Sequence, residues 1–586
     1  MEFISNNAGL FISSVIVLLL VNLYIYDRFV QRKHQLLINY PIVGRMRYLF
    51  EALRDPLRQY FGDENFYESR DKIDWVYRSA KNVSSFMSFS VSKATSGSRF
   101  ILKHSSSVKN DDEVLDDFSV TYGKDCSKPF VAQTPIIRSA MSDGALSPEA
   151  VRAFTMGAEL SNFALNTGEG GLTSNYFYTH RPDTQNREYL EVIQSTPFAE
   201  FAYNVVSFLF NRSAAVKVYR KILLNEKAEN TYIYDSKTHI LFRLNWDAPL
   251  DVYPNDVPED MPDLILQVGS GLYGVRDADG NFDPARYEKT MRFCRMTEIK
   301  IAQGAKQTGG KLVGSKVTPD IAYYRGVKEG EDLISPNRFP YANDTRELFE
   351  FMAKLKKISD KPVGMKIVVS DIKSVEEIVS LMADYKEESK LIPDFITVDS
   401  GQGGSATAPL ELMESVGLST YNALYIVDMM LRKYNLKEDV KIISSGKILT
   451  PDDVVVALAI GADGIGIARA FMMSGGCIRA RMCSGTGSHV CPIGMATQDP
   501  KKRASYLVTK KAGEIANYHT NLLKGVKTVL AVMGLVSINE LEKKHLSYQN
   551  KAGEIFFDID NYFRKKLQID EKKSKKVVKI KESELV

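Results

Sequence analysis

From Pro129 onward, short apolar runs alternate with amphipathic stretches, the pattern of βα units that build a parallel sheet. Eight runs stand out, at 136–140, 163–166, 264–268, 298–302, 363–369, 395–398, 441–444 and 464–468. Eight parallel strands close a (β/α)8, or TIM, barrel, and in that fold the chemistry sits at the C-terminal strand ends. Small or polar residues follow the runs, among them Met141-Ser142, Gly168-Glu169-Gly170-Gly171, Gly269-Ser270-Gly271, Asp399-Ser400-Gly401 and Gly446-Lys447. The pattern predicts an α/β fold of TIM-barrel type. A doubly wound open sheet would give some of these runs, but not eight in succession with glycine loops paired after the seventh and eighth.

Around the barrel the pattern changes. After a short segment, 1–7, residues 8–26 (AGLFISSVIVLLLVNLYIY) are almost unbroken apolar, long enough at about 1.5 Å per residue to cross a hydrocarbon core of ~30 Å. Asp27, Arg28, Arg32, Lys33 and His34 follow, whereas residues 1–7 hold no Lys or Arg. The positive-inside bias predicts a single-pass N-terminal transmembrane anchor with the bulk of the chain on the cytoplasmic side. The rival, a signal peptide, wants a basic start, a shorter apolar run and a small-residue cleavage site. Residues 27–125 read as a helical, basic lead-in, where Arg45, Arg47, Arg54 and Arg58 interleave with Met46, Tyr48, Leu49, Leu53 and Leu57. An amphipathic helix packed on the domain is the favoured reading there, ahead of lipid recognition. The barrel domain is expected over 126–525, with an insertion at 172–263 too long for a plain βα loop. That insertion includes 201–222, apolar and basic at helical spacing. Residues 526–586 form a helical C-terminal extension ending in a Lys-rich stretch, 564–581, read as a solvated tail, with attraction to anionic lipid the weaker option.

Composition narrows the function. A net charge of +4 and a pI near 8.4 are too mild for a nucleic-acid binder, so no nucleic-acid partner is expected. Five cysteines, an odd number, do not read as a disulfide framework. Cys477, Cys483 and Cys491 lie within fifteen residues and suggest a metal in a reducing compartment; three unrelated core thiols are the alternative. Gly446, Gly464, Gly466 and Arg469, at two strand ends, suit a phosphate approached by backbone N–H groups. Lys300, Lys306 and Arg325 place three cations among glycines within twenty-six residues, suited to carboxylates, although surface lysines are usually just solvated. Glu169, between glycines, is suited to acid–base work or to orienting a nitrogen; capping the next segment is its alternative.

The stretch 445–500, SGKILTPDDVVVALAIGADGIGIARAFMMSGGCIRARMCSGTGSHVCPIGMATQDP, resembles the synthase domain of glutamate synthase, which carries FMN and an iron–sulfur cluster. Four more clusters share the resemblance: SAMSDGALSPEA (139–150), NTGEGG (166–171), EIKIAQGAKQTGGKLVGSKVTPDIAYYR (298–325) and VDSGQGGSATAP (398–409). Together they span about 125–525, and the anchored chain is most similar to stand-alone, FMN-binding glutamate synthase-like proteins without an amidotransferase domain. The resemblance implies an oxidoreductase acting on CH–NH2 donors, which reductively aminates 2-oxoglutarate or a related 2-oxo acid through an imine. It implies cofactor contacts from Ala140, Met141, Ser142, Asn166, Ser270, Lys366, Asp399, Gly401, Gly403, Gly404, Gly446, Gly464, Gly466 and Arg469. Lys366 would face the N1–O2 edge of the flavin and favour its reduced anion. Glu169, Lys300, Gln303 and Lys306 would be catalytic, and Lys300, Gln303, Lys306 and Arg325 would hold the dicarboxylate.

Cys477, Cys483 and Cys491 would hold a [3Fe–4S] cluster, but their spacing departs from the family: five residues and then seven, where the family has five and then four. His489 is a possible extra ligand or a solvated loop residue. With no amidotransferase cysteine and no Rossmann element for NAD(P)H, ammonia or an amine donor and a ferredoxin or reductase would come from elsewhere. Other FMN barrels fit less well. An inosine monophosphate dehydrogenase-like enzyme wants a cysteine after strand six, and a 2-hydroxy acid oxidase wants a histidine at a strand end. A membrane-tethered electron-relay or scaffold subunit is the non-enzymatic alternative.

Overall fold

The computed structural model describes residues 8–61, 70–83, 98–178, 188–224, 231–235, 238–304, 309–409, 411–412, 415–480, 482–484 and 490–568. Lys306, His489, residues 1–7 and most of the expected tail lie outside the described residues. Eight parallel strands close into one barrel in chain order: β1 Ile136–Arg138, β2 Ala164–Asn166, β3 Leu264–Val268, β4 Met296–Lys300, β5 Val363–Val368, β6 Phe395–Asp399, β7 Lys441–Ser445 and β8 Gly464–Ile467. Ile465 of β8 pairs with Ile136 of β1 and shuts the ring. Helices cover the outside, so both faces of each strand are buried, which is why the strands read as apolar runs rather than alternating ones. The TIM-barrel expectation holds.

The first run was expected to reach 140, but β1 ends at Arg138. Its guanidinium folds back on the next turn, where Nη1 donates to the carbonyls of Ser139 (3.1 Å) and Met141 (3.0 Å). Those carbonyls are thereby held away from a continued ladder.

At the N-terminal end of the barrel, a hairpin of Val120–Tyr122 and Phe130–Ala132 forms a floor. Its Tyr122 is fully buried with Phe130, Ile137, Ala164, Ile265, Met296, Phe395 and Ile443, mostly from strand starts.

The lead-in departs from its helical expectation. Beyond α1 Ala8–Ile25, which covers the apolar run, it has helices, including α2 Met46–Phe61 and α3 Arg70–Ala80, but also strand Arg99–Leu102 and the floor hairpin. Arg99–Leu102 pairs antiparallel with Leu546–Gln549, itself paired with Ile555–Phe556, so the strand is made by a partner remote in sequence. Met46, Tyr48, Leu49 and Leu53 of α2 are exposed, not packed on the domain as expected. The start of α2 is held to the residues just after α1 instead, by the Arg45–Asp27 ion pair (2.5 Å) and the contact of Tyr48 with His34. α3, by contrast, clamps the barrel wall. Lys72 pairs with Asp452 and Asp453, and Asn517 and Asn521 donate to the carbonyls of Ala80 and Ser79.

After β1, α4 Pro148–Ser161 starts with Ser147 accepting from the Ala150 N–H and Pro148 in its first turn. The insertion builds a three-stranded antiparallel sheet and a helix pair, α5 Pro197–Leu209 and α6 Arg212–Leu223. It rests on the helix after β3 through Trp246, which lies under Arg286 (3.6 Å) and whose carbonyl accepts from Lys289. Three further helices complete what the site and its support need: α7 Pro319–Arg325, α8 Pro451–Ile460 and α9 Val508–Val532. The expected domain boundary at 525 falls inside α9, a single unbroken helix. Arg564–Lys566, expected in a solvated tail, form the last turn of α10 Ile559–Lys566, which is held down by buried Tyr562 and Phe563.

Candidate functional site

A cleft of about 1050 Å³ opens over the C-terminal strand ends. At the end of β1, Arg138 is completely buried beneath the turn it holds, so Ala140, Met141 and Ser142 line the cleft. Burial holds the Arg138 pKa below its ordinary value, and the guanidinium lies 5.4 Å from the Phe154 ring. Its Nε and Nη2 have no hydrogen-bond partner among the described residues.

At the end of β2, Asn166 does not line the cleft. Its Nδ2 donates to Glu298 Oε1 (2.8 Å) and its Oδ1 accepts from the Gly168 N–H (2.9 Å), which shapes the turn that carries Glu169 into the cleft. Glu169 Oε2 there accepts from Lys300 Nζ at 2.6 Å, an ion pair across β2 and β4. Glu298, also on β4, is buried in the barrel. Its carboxylate accepts from Asn166, from Gln267 Nε2 (2.6 Å) and from Thr397 Oγ1 (2.5 Å).

Lys366 of β5 reaches Asp399 of β6, Nζ to Oδ2, at 3.3 Å, with both side chains buried. Burial opposes the Lys366 charge, but Asp399, Glu298 and Glu169 outweigh it and hold its pKa above the ordinary lysine value. Asp399 Oδ2 also accepts from the Gly304 N–H (3.1 Å), and Gln303 Nε2 donates to the Gly404 carbonyl (3.2 Å). Those two bonds tie the loop after β4 to the loop after β6.

Arg325, the last residue of α7, enters the cleft from the side. Its Nη2 donates to the Asp143 carbonyl (2.9 Å), and its guanidinium lies 5.5 Å from the Tyr273 ring. Burial lowers its pKa, against the opposing pull of Tyr273, Asp143 and Glu169. Among the described residues no carboxylate lies within ion-pair distance of Arg325.

At the far end, the turn after β7 contributes Gly446 and Lys447, β8 itself contributes Gly466, and Arg469 follows β8. Gly446 has φ 139°, and a Cβ there would lie 2.1 Å from Ser400 Oγ, so only glycine lets this turn pass the loop after β6. Gly403 and Gly404 line the cleft. Gly401 does not: a Cβ on it would press on the carbonyls of Val416 and Gly417. Gly464 is a clearer correction. It begins β8 at the opposite end of the barrel, where a Cβ would sit 2.2 Å from Tyr122 Oη, so it serves the floor rather than a phosphate. Ser270 is likewise outside the cleft lining, its Oγ donating to the Pro336 carbonyl (2.5 Å).

Cys477 and Cys483 line the same cleft, and Cys491 is buried behind them. Burial pushes the Cys477 thiol up to about 12, and Cys483 and Cys491 act on it in the same direction. Lys316 Nζ donates to the Cys483 carbonyl (3.1 Å), and Tyr77 Oη to that of Cys477 (2.6 Å). The thiols are thus electrostatic neighbours, yet among the described residues no three side chains of ligating type are grouped closely enough to hold a metal ion.

Arg138, Gln267, Tyr273 and Glu298 were not singled out from sequence. Arg138, Gln267 and Glu298 share one faint signal, a polar or charged side chain inside a run destined for burial on both faces, which does not say what each will meet.

The comparisons with known proteins agree with this geometry. The family model for the conserved region in glutamate synthase matches residues 79–536. The chain is 31% identical to the glutamate synthase large subunit-like protein YerD of Bacillus subtilis over 594 aligned residues, 94% of this chain and 96% of that one. It is 32% identical to the archaeal-type glutamate synthase [NADPH] of Thermotoga sp. over 49% of this chain, and spans only 53% of that relative's length. Among solved structures, a pyruvate-bound mutant of flavocytochrome b2 matches over 88% of the chain at 13% identity and TM-score 0.40, a likeness too slight to add to the barrel already traced. By the extent of the family match, the chain belongs to the glutamate synthase family, oxidoreductases acting on CH–NH2 donors.

Proposed function

We propose that this chain binds FMN and reductively aminates 2-oxoglutarate, or a related 2-oxo acid, to glutamate or a glutamate-like amino acid. The observation that carries the reading is one cleft that gathers the Lys300–Glu169 pair, the Lys366–Asp399 pair and Arg325, a cation with no carboxylate partner of its own among the described residues.

The residues fit FMN. Backbone donors of Gly446, Lys447 and Gly466 with Arg469 suit its phosphate, the Ala140–Ser142 turn suits the ring, and the buried Lys366 ammonium suits an anionic ring edge. When bound, FMN supplies hydride to the substrate.

The chain's own residues do the rest. Arg325 and Lys300 hold substrate carboxylates, Arg325 with a fork that Lys cannot offer. Lys300 fixes one carboxylate oxygen of Glu169, so Glu169 is oriented to hold the substrate nitrogen and move its proton. Tyr273 and Met141 wall the site from water.

Ammonia or an amine, and electrons from a ferredoxin or a reductase, are proposed to come from separate partners. The [3Fe–4S] cluster stays a proposal on Cys477, Cys483 and Cys491; iron and acid-labile sulfide at background level in anaerobically purified protein would remove it. The membrane anchor is also a proposal. It rests on α1, apolar and exposed, which overlaps the candidate span Phe11–Val30. Full-length protein should resist a carbonate wash of membranes and leave with detergent.

The main test is the absorbance of anaerobically purified protein titrated with 2-oxoglutarate. Flavin bands that shift support cofactor and substrate class together. Flavin bands that ignore 2-oxoglutarate refute the dicarboxylate, and protein that cannot be reconstituted with FMN refutes the reading.

A further inference from the structure

The helix pair of the insertion, α5 and α6, is more apolar outside than its fold requires. The inner face of α5, with Ala199 and Tyr203, packs on Ala215 and Tyr219 of α6 and on Tyr232 and Leu241 of the sheet. That small core is complete without the outer face. Outside lie Phe198 (67% exposed), Phe201 (66%), Val205, Phe208 (90%), Leu209 and Phe210 (74%), interrupted by Asn204. The spacing 198, 201, 205, 208 is that of one helical stripe, and so many phenylalanines side by side in water are unusual for a soluble surface. The adjoining helix α6 carries Arg212, Lys217, Arg220 and Lys221 and no acidic residue, and Arg212, Lys217 and Lys221 are exposed.

We infer that this phenylalanine face docks into the interfacial layer of an anionic lipid membrane, as a second contact beside the proposed span. An apolar helical face with a basic flank matches both parts of such a layer, acyl boundary and headgroup. Topology places the face where a membrane would be. The insertion leaves the barrel after β2, at its C-terminal rim. The residues that follow α1 rest on the same rim: Asn39 donates to the Pro492 carbonyl (2.9 Å), and Gln498 of that segment donates to the carbonyls of Gly144 and Leu146, after β1. Helix α2 adds exposed Met46, Leu49, Phe50 and Leu53 immediately beyond the span. Three apolar surfaces are therefore exposed in the described structure, and the chain leading to two of them, α1 and α5, meets the barrel at one rim. The inference rests in part on the anchor reading, and its test separates the two.

The test uses full-length protein in vesicles of phosphatidylcholine with a minority of phosphatidylglycerol, with plain or brominated acyl chains. Phe208→Trp and Leu19→Trp are made separately, and the emission of the unchanged chain, which has two tryptophans, is subtracted. Docking predicts that bromine quenches the emission added by Phe208→Trp at least about twofold, the shallow insertion expected of an in-plane helix. If the Leu19→Trp emission is quenched and the Phe208→Trp emission is not, docking is overturned and the anchor stands. If Phe208→Trp is quenched and Leu19→Trp is not, docking stands and the anchor falls. Unquenched Phe208→Trp emission, together with a detergent-solubilised dimer that Phe208→Asp dissociates, overturns docking in favour of a second copy of the chain.

Discussion

At the scale of single residues, the cleft is a balance of buried charge. Glu169 pairs with Lys300 and Asp399 with Lys366, and removing one member of either pair leaves the other unpaired in a low-dielectric interior. Lys366→Met strands Asp399, and the expected cost is about 3 kcal/mol of unfolding free energy in urea. Asp399→Asn in the same chain keeps the oxygen that accepts from Gly304 but drops the charge. The double variant should therefore recover more than half of that loss. Strictly additive losses would show that the pair is not energetically coupled. Much of this cleft was readable in the sequence: Glu169, Lys300, Lys366 and Arg325 stand out as charges among glycines and apolar runs. Glu298 was hidden for a physical reason. Its role is to be surrounded by Asn166, Gln267 and Thr397, donors from three other strands, and no local pattern announces which strands will be neighbours.

At the scale of elements, the eight strands were legible because burial on both faces writes a continuous apolar run, and the floor hairpin was not because each of its short strands carries an exposed middle residue, Thr121 or Val131, and writes no such run. Gly464 shows what that omission does. From sequence it belongs to a glycine pair at the β8 end; in the fold it belongs to the floor, because a strand's first and last glycines lie at opposite ends of the barrel. Gly464→Ala should overpack Tyr122, itself wedged against Phe130 and Phe395, at a cost of about 2 kcal/mol, with flavin retention unchanged. Loss of flavin without loss of stability would return this residue to the phosphate site. Helix α9 supplies a pH dependence. His519 is buried on it, with Nε2 3.2 Å from Thr134 Oγ1 and the ring 5.1 Å from that of Phe163, and burial drives its pKa down to about 3. The unfolded chain takes up a proton near pH 6.5 that the folded chain refuses until about pH 3, so this contribution is full above pH 6.5 and is lost as pH falls through that window. Between pH 7 and pH 5 the loss from this group is about 2 kcal/mol, and His519→Gln should flatten that part of the stability profile.

At the scale of the whole molecule, the later lead-in, from α3 to the floor hairpin, and the C-terminal segment are one structural unit with the barrel, although from sequence they read as extensions. Arg99–Leu102 pairs with Leu546–Gln549, across more than four hundred residues, and only the completed fold brings those edges together. The aromatic cluster beneath that sheet joins both ends to the barrel wall. Phe563 of α10 stacks on Tyr425 at 4.3 Å and lies 6.2 Å from Phe100 of the lead-in strand. Tyr425 belongs to the helix between β6 and β7, so one buried ring touches lead-in, barrel and C-terminal segment. If these parts share one core, deleting that ring must weaken all of them. Phe563→Ala should lower stability by about 3 kcal/mol, with the thermal transition staying single and moving as a whole. Far-ultraviolet circular dichroism, dominated by the barrel and its helices, and the emission added by a Phe100→Trp probe placed in this cluster should then report the same midpoint. Were the C-terminal segment an independent attachment, the variant would instead split the melt, with an early step seen by fluorescence and a barrel midpoint that does not move.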